Sequence, residues 1–288
     1  VNVLIFTNTS LDGAASTLFM KWLYSKKIKE FIVVEATETT IVNDIKSREL
    51  TLDHYDRVFV LGLCLSESQI KEVDKYKLVV FDHHLSHASV LNNYNDSTAV
   101  VKKDTSCISL IHNKFKSAIN LTEAQERLIM YVNDYESFNL KHSDSFKLSA
   151  IFFTYNRPKV VKFIESFEQG WREYNIQEKN AIKIYIKKFK EQLENKPNFG
   201  TIKNYKTVAI FANALVSNIA HYIISKYSSE IGIVVNLDTN SVSFRRCTHC
   251  DVDVSILSKT FCNGSGSICA AGGDLTPQFA ELLKDFSP

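Results

Sequence analysis

Four short apolar runs, at residues 3–6, 31–34, 57–61 and 78–81, limit the folds open to this chain. Each is rich in β-formers and too short for a stable helix. Between them, residues 14–24, 40–45 and 68–73 carry helical patterning. Strands alternating with helices predict βαβ units and a mainly parallel sheet. Ligands of such sheets bind at the carboxyl edge of the strands. The residues that follow each run are therefore where chemistry is expected.

From about residue 105 to 195 the pattern is helical. Thr122-x-x-Gln125 has the form of a capping box opening a helix that runs to Val132. A long amphipathic stretch, residues 176–193, ends at Asn195-Lys196-Pro197 and carries Lys179, Lys183, Lys187, Lys188 and Lys190. Glu178, Glu191 and Glu194 dilute that charge, so a solvated face is favoured over a nucleic-acid surface. After Pro197, residues 207–212, 231–236 and 242–246 suggest strands, and 216–225, 253–261 and 277–284 suggest helices. That is enough for a small α/β domain, with a boundary near residue 200. No internal repeat or low-complexity tract interrupts the chain.

With 288 residues and a net charge of only +2, any polyanionic partner must be met by a local basic cleft. No apolar run approaches the ~20 residues of a membrane span. The opening apolar stretch lacks a basic flank and suggests a strand, not a signal peptide. Six cysteines without a secretory signal then point to a reducing compartment, the cytoplasm. Few glycines and prolines beside abundant Lys, Ile and Asn suit an AT-rich genome, as in a phage, a virus or a low-GC bacterium.

The fourth apolar run leads into Asp82-His83-His84, a carboxylate and two imidazoles at a strand end. Such donors suit manganese, magnesium or zinc ions that polarise phosphate and activate water. Asp12 follows the first run at the same expected edge, and Asp134 follows the capping-box helix. Asp12, Asp82, His83 and Asp134 together make a one-metal site. Near the C-terminus, Arg245-Arg246 precede a glycine-rich segment, residues 263–273, that contains Gly264, Gly266 and Ser267. Paired arginines and glycine-rich backbone amides are suited to gripping phosphate.

These motifs, in this order, resemble those of the DHH phosphoesterases that carry the DHH-associated C-terminal domain. That group contains RecJ-type exonucleases, nano-RNases and cyclic dinucleotide phosphodiesterases. The resemblance covers residues 3 to about 273. It implies an α/β parallel-sheet domain (residues 1–145), a helical connector (146–200) and a smaller α/β substrate-binding domain (201–288), with the active-site cleft between the two domains.

The departures from the family pattern are selective. The family's first motif reads His-x-Asp-x-Asp-Gly, where this chain has Asn8, Ser10, Asp12 and Gly13. The second-motif Asp falls on Gly62, and the histidine closing the glycine motif falls on Ser267. The resemblance implies that one of two metal ions loses every ligand. The other keeps Asp12, His83 and Asp134, with Asp82 and His84 nearby as catalytic-site residues. The expectation is therefore at most one manganese or magnesium ion. The chain would bind a nucleotide or a short single-stranded nucleic-acid end, with hydrolysis weak or lost and a protein partner in prospect if catalysis is gone. An active one-metal phosphodiesterase on short oligonucleotides or cyclic dinucleotides is the alternative, and a non-catalytic scaffold the second.

Cys247-Thr248-His249-Cys250, Cys262 and Cys269 form a loose cysteine set in the small domain. The later spacing lacks a tight second knuckle, so free thiols are favoured over structural zinc. Cys64 and Cys107 suggest small core residues.

Overall fold

The computed structural model describes residues 1–37, 39–63, 65–73, 76, 78–82, 98–99, 105–137, 139–247, 250–266 and 270–288. The chain forms two compact units, Val1–Ala181 and Ile182–Pro288.

The first unit is built on a five-stranded, all-parallel sheet of β1 (Asn2–Thr7), β2 (Glu30–Glu35), β3 (Arg57–Leu61), β4 (Val79–Asp82) and β5 (Thr98–Ala99). Its strand order is β2-β1-β3-β4-β5. Both faces are covered, which explains why the strands are continuous apolar runs without alternation. Leu4, Phe6, Val58, Val60 and Val80 pack on one face with Ile41 and Ile45 of α2 (Ile41–Lys46) and Val73 of α3 (Glu67–Val73). Val3, Ile5, Phe59 and Phe81, of opposite strand parity, are also fully or nearly fully buried.

Helix α1 (Leu11–Tyr24) is buried along almost its whole length from Leu11 to Met20. It packs against α4 (Cys107–Phe115) and α7 (Lys159–Ser166). Between them in the chain lie α5 (Glu123–Glu136) and α6 (Ser143–Thr154). The capping box forms as expected: Gln125 N–H donates to Thr122 Oγ1 at 3.3 Å and Thr122 N–H to Gln125 Oε1 at 2.9 Å. Its helix continues past Val132 to Glu136, so Asp134 lies inside the last turn and does not follow the helix. Helix α8 (Ile176–Gln192) crosses from the first unit into the second.

The second unit carries a mixed six-stranded sheet, ordered β10-β11-β9-β8-β7-β6. β6 (Asn198–Ile202) pairs antiparallel with β7 (Tyr205–Phe211), and β7 runs parallel to β8 (Ile231–Asn236) through α9 (Val216–Tyr227). β9 (Ser241–Arg246), β10 (Ser265–Gly266) and β11 (Ala270–Asp274) complete it, with α10 (Val254–Cys262) and α11 (Pro277–Leu283). Asp253 caps α10 by accepting from Ser255 N–H at 2.8 Å. Val242 and Phe244 share a core with Leu257 and Phe279. β6 and β11 are not legible as strands in the sequence, because Gly200 and the Gly272-Gly273 pair dilute the apolar pattern.

In the first unit, Arg172 grips Glu178 with two hydrogen bonds of 2.8 and 2.7 Å. The Arg172 guanidinium and the Asn175 N–H hold the Glu178 carboxyl below its ordinary range. A depressed folded-state value contributes stability that is present above the unfolded value and lost as pH falls through the folded one. Glu178→Gln should therefore lower stability at pH 7 by at most about 1 kcal/mol, since the arginine is partly exposed. Urea unfolding at pH 7 and at pH 3 should show the wild-type and mutant curves converging in acid.

Candidate functional site

The order β2-β1-β3-β4-β5 places a topological switch between β1 and β3, where connections leave toward opposite faces and where ligands of open α/β sheets bind at the carboxyl edge. Asn8 follows β1 and Gly62 follows β3 at that point. Asn8 Nδ2 donates to the Gly62 carbonyl at 2.6 Å, and Ser10 Oγ donates to Asn8 Oδ1 at 2.6 Å. Ser10 Oγ in turn accepts from Gly13 N–H at 2.9 Å and caps α1. Asn8, Ser10 and Gly62, split between two distant segments, thus form one chain of hydrogen bonds without a formal charge. A Cβ on Gly62 would lie 3.3 Å from Asn8 Nδ2, so a side chain there would project toward Asn8. Gly62 itself has φ +64°, which disfavours most other residues.

Asp12 is 2% exposed, and its carboxylate faces the start of another helix. Cys107 N–H donates to Oδ2 at 2.7 Å and Ile108 N–H to Oδ1 at 2.9 Å, both from the first turn of α4. Ser16 Oγ adds a contact at 3.5 Å. Asp134, 6% exposed, is used the same way. Its carboxylate accepts from Lys141 and His142 N–H, both at 3.0 Å, and from Ser145 Oγ at 2.6 Å, at the start of α6. Asp82 ends β4 and is 1% exposed. His83, His84 and Ser267 lie outside the described residues.

Cys107 belongs to this edge, although its sequence context suggests only core packing. Its thiol donates to the Phe81 carbonyl at 3.3 Å, and burial, reinforced by the Asp12 carboxylate, pushes it well above its ordinary value. It remains a neutral donor. No spacing signal links Cys107 to Asp12, because the contact spans 95 residues.

The donor capacity of these residues decides how they fit a divalent ion. An ionised carboxylate offers about four lone-pair positions. Asp12 and Asp134 each already take at least three donors, leaving at most about one position apiece for a cation. The Asn8–Ser10–Gly62 chain does not fit an ion, since it supplies no charge and its polar atoms are engaged with one another. Among the described residues, no group of three or more His, Cys, Asp or Glu is placed to hold a metal ion.

In the second unit, strand alternation separates Arg245 from Arg246, because successive side chains point to opposite faces. Arg246 is 8% exposed on the core face, with Nη1 donating to the Val252 carbonyl at 3.2 Å. Arg245 is partly buried on the α9 face, where Nη2 donates to Ser217 Oγ at 2.7 Å. His221 lies one turn further along α9, exposed and beside the Arg245 charge. The expected paired grip is thus divided: only Arg245 shares a face with other polar side chains. Ser217 and His221 carry no sequence signal.

The glycine-rich segment also has a packing role. Gly264 N–H donates to the Ser258 carbonyl at 3.1 Å, ending α10, so that amide is engaged. A Cβ on Gly264 would meet the Gly272 carbonyl oxygen at 2.2 Å, and one on Gly266 would meet Ala271 Cα at 2.4 Å. Both glycines allow close approach of β10 to β11, where the sequence suggests a loop.

Asp12→Ala would leave the buried Cys107 and Ile108 amides without an acceptor, and should cost about 2–4 kcal/mol. Chemical denaturation in the presence of a chelator checks this. A buried carboxylate kept only for a cation would give the opposite sign, with the variant more stable than wild type when metal is absent.

No family model and no curated protein sequence matches the chain. Solved structures do. The pGpG-specific phosphodiesterase PggH from Vibrio cholerae is 12% identical, with 99% of this chain and 96% of that one covered and a TM-score of 0.59. CDC45 from Entamoeba histolytica is 8% identical, covering 98% and 94%, at 0.58. RecJ from Thermus thermophilus, in complex with Mn2+, is 8% identical at 0.52, with 98% of this chain covered but 51% of RecJ. A DHH domain from a member of a ribosomal protein family is 11% identical, covering 100% and 87%, at 0.58. Over nearly its whole length, this chain has the fold of the DHH-domain proteins.

Proposed function

We propose that this DHH-fold protein binds a nucleotide or a short single-stranded nucleic-acid end and hydrolyses it slowly or not at all. The observation that supports this reading is the uncharged chain Asn8–Ser10–Gly62 at the β1/β3 switch point. It occupies the positions where the resembled motifs carry a histidine and two aspartates. Two-metal hydrolysis uses paired ions to generate hydroxide and to neutralise developing charge. Without an anionic ligand set, a dication near Asn8 would be held only by amide and hydroxyl dipoles, and its desolvation would be poorly compensated.

The proposal keeps at most one manganese or magnesium ion, held by Asp12, His83 and Asp134, with Asp82 and His84 beside it. Such an ion, when bound, would supply Lewis-acid polarisation of a phosphate oxygen. The chain's own residues would orient the ligand: Arg245, supported by Ser217, as the phosphate contact, and Gly266 and Ser267 as backbone neighbours. Arg246 and Gly264 play a supporting role, because each is engaged in the small unit's own packing. The same proposal divides the chain into residues 1–145, 146–200 and 201–288 as phosphoesterase-type domain, connector and substrate-binding domain. PggH and manganese-bound RecJ have this fold, which favours a phosphoester ligand over a purely structural role.

Affinity for a labelled short oligonucleotide, followed by anisotropy, should fall about tenfold in Arg245→Ala, the scale of one lost charge-assisted contact. Equal affinity in that variant would remove Arg245 from the ligand grip. Catalysis is tested by manganese-dependent release of mononucleotides from short RNA, short DNA and cyclic dinucleotides. Wild type should be slower by several orders of magnitude than a two-metal enzyme, since each lost charge contribution is worth several kcal/mol. The combined variant Asn8→His, Ser10→Asp, Gly62→Asp should gain a second manganese and turnover, with Ser267→His added if the gain is small. These positions must change together, because the ligands of one ion act as a unit. A fast wild type would overturn the proposal in favour of a working phosphodiesterase.

A further inference from the structure

Cys247 and Cys250 follow β9 in the second unit, and both are in the thiol form. Cys250 is 9% exposed, and Cys247 is partly buried and so the more accessible of the two. The Cys250 thiol donates to the Glu230 carbonyl at 3.4 Å and to the Cys247 carbonyl at 3.5 Å, and it also engages the Cys247 side chain. Cys247 N–H is held by the same Glu230 carbonyl at 2.8 Å, so both cysteines are tied to one point beside the neighbouring strand. The spacing is Cys-x-x-Cys, a motif in which one thiol can attack a disulfide and the second can resolve the mixed disulfide.

A second observation converges on the same place. Arg246, next in sequence to Cys247, is 8% exposed, and among the described residues its Nε has no hydrogen-bond partner. A buried guanidinium with an unfilled donor favours an anion beside it. The bond to Cys247 and burial hold the Cys250 thiol well above its ordinary value, and the Arg246 charge opposes them. Cys250 therefore stays protonated until its partner has reacted. Cys262 shares this core but is fully buried, and burial pushes its thiol up to about 12. It stays inert while the pair reacts.

We propose that Cys247 and Cys250 form a redox-active dithiol site, with Arg246 as its positioning cation and a small organic disulfide as its oxidant. The more exposed Cys247 loses its proton to solvent, and its thiolate attacks one sulfur of the disulfide R–S–S–R. A mixed disulfide forms and one R–S⁻ leaves, taking up a proton. Cys250 then deprotonates and attacks Cys247 Sγ, expelling the second R–S⁻, which is also protonated. The pair becomes a disulfide, the oxidant becomes two thiols, and two electrons have moved between them. Closing the bond takes Cys250 Sγ from the Glu230 carbonyl and joins it to the residue that follows Arg246.

The test uses the whole chain, first reduced and freed of reductant, then incubated with oxidised glutathione, quenched and alkylated with iodoacetamide for peptide mapping. The expected product is a Cys247–Cys250 cross-linked peptide two hydrogens lighter than the reduced form, with Cys107 and Cys262 recovered as alkylated thiols after unfolding. Recovery of Cys247 and Cys250 as alkylated thiols would overturn the proposal. So would pairing of either one with another cysteine, or a native mass showing both thiols bound to zinc. Cys250→Ser, which removes the resolving thiol, should trap a glutathione adduct on Cys247 and form no internal disulfide. For Arg246 the readout is the pH profile of Cys247 alkylation. Arg246→Met should move its midpoint up by about one pH unit while Arg246→Lys leaves it near wild type. An unmoved profile in a folded Arg246→Met variant would remove Arg246 from the site.

Discussion

At the start of α1, a buried carboxylate receives two backbone amides from a helix 95 and 96 residues further along the chain. The bond between Asp12 and the first turn of α4 ties the β1–α1 elbow to a helix packed on the same side of the sheet. A helix start exposes unpaired N–H groups and the positive end of a dipole, so a buried anion there is satisfied without a counter-ion. Asp134 does the same for α6, and Glu35 Oε1 accepts from Val160 N–H at 2.8 Å at the start of α7. The first unit is therefore assembled around carboxylates that serve helix N-termini.

This arrangement gives the neutral groups at the β1/β3 edge a physical meaning. An intact two-metal site would gather several carboxylates and imidazoles that repel or stay desolvated until cations arrive. Here Asn8, Ser10 and Gly62 satisfy one another as neutral groups, and the neighbouring carboxylates are satisfied by amides and hydroxyls. The carboxyl edge can thus fold with these polar groups paired from within the chain. Those positions are assembled from the chain's own donors and acceptors, in contrast to sites whose assembly depends on the ion.

In the second unit, the period of a β-strand decides what adjacent residues can do. Arg245 and Arg246 are neighbours in the chain and sit on opposite faces of β9. One meets Ser217 on α9; the other is buried beside Val252 and the Cys247–Cys250 pair. Their shared chemistry is divided between two surfaces. Gly264 and Gly266 serve the close contact of β10 and β11, where a side chain would collide with backbone.

Apolar periods and helix caps are short-range properties, so the order of residues alone specifies the parallel sheet, the helical middle and the small α/β unit. It also locates Asp82 and Asn8 at strand ends and Asp12 just beyond the first run, since a strand's last residue and the turn after it can be read from the run itself. The capping box at Thr122 is legible for the same reason. The length of its helix is not, and Asp134 moves into the last turn. Which distant groups meet was left to packing. Asp12 finds the amides of Cys107 and Ile108, Asn8 finds the Gly62 carbonyl, and the two arginines part company across a sheet. None of these pairings across the fold has a sequence period, because each depends on elements whose separation along the chain is set by topology and not by local geometry.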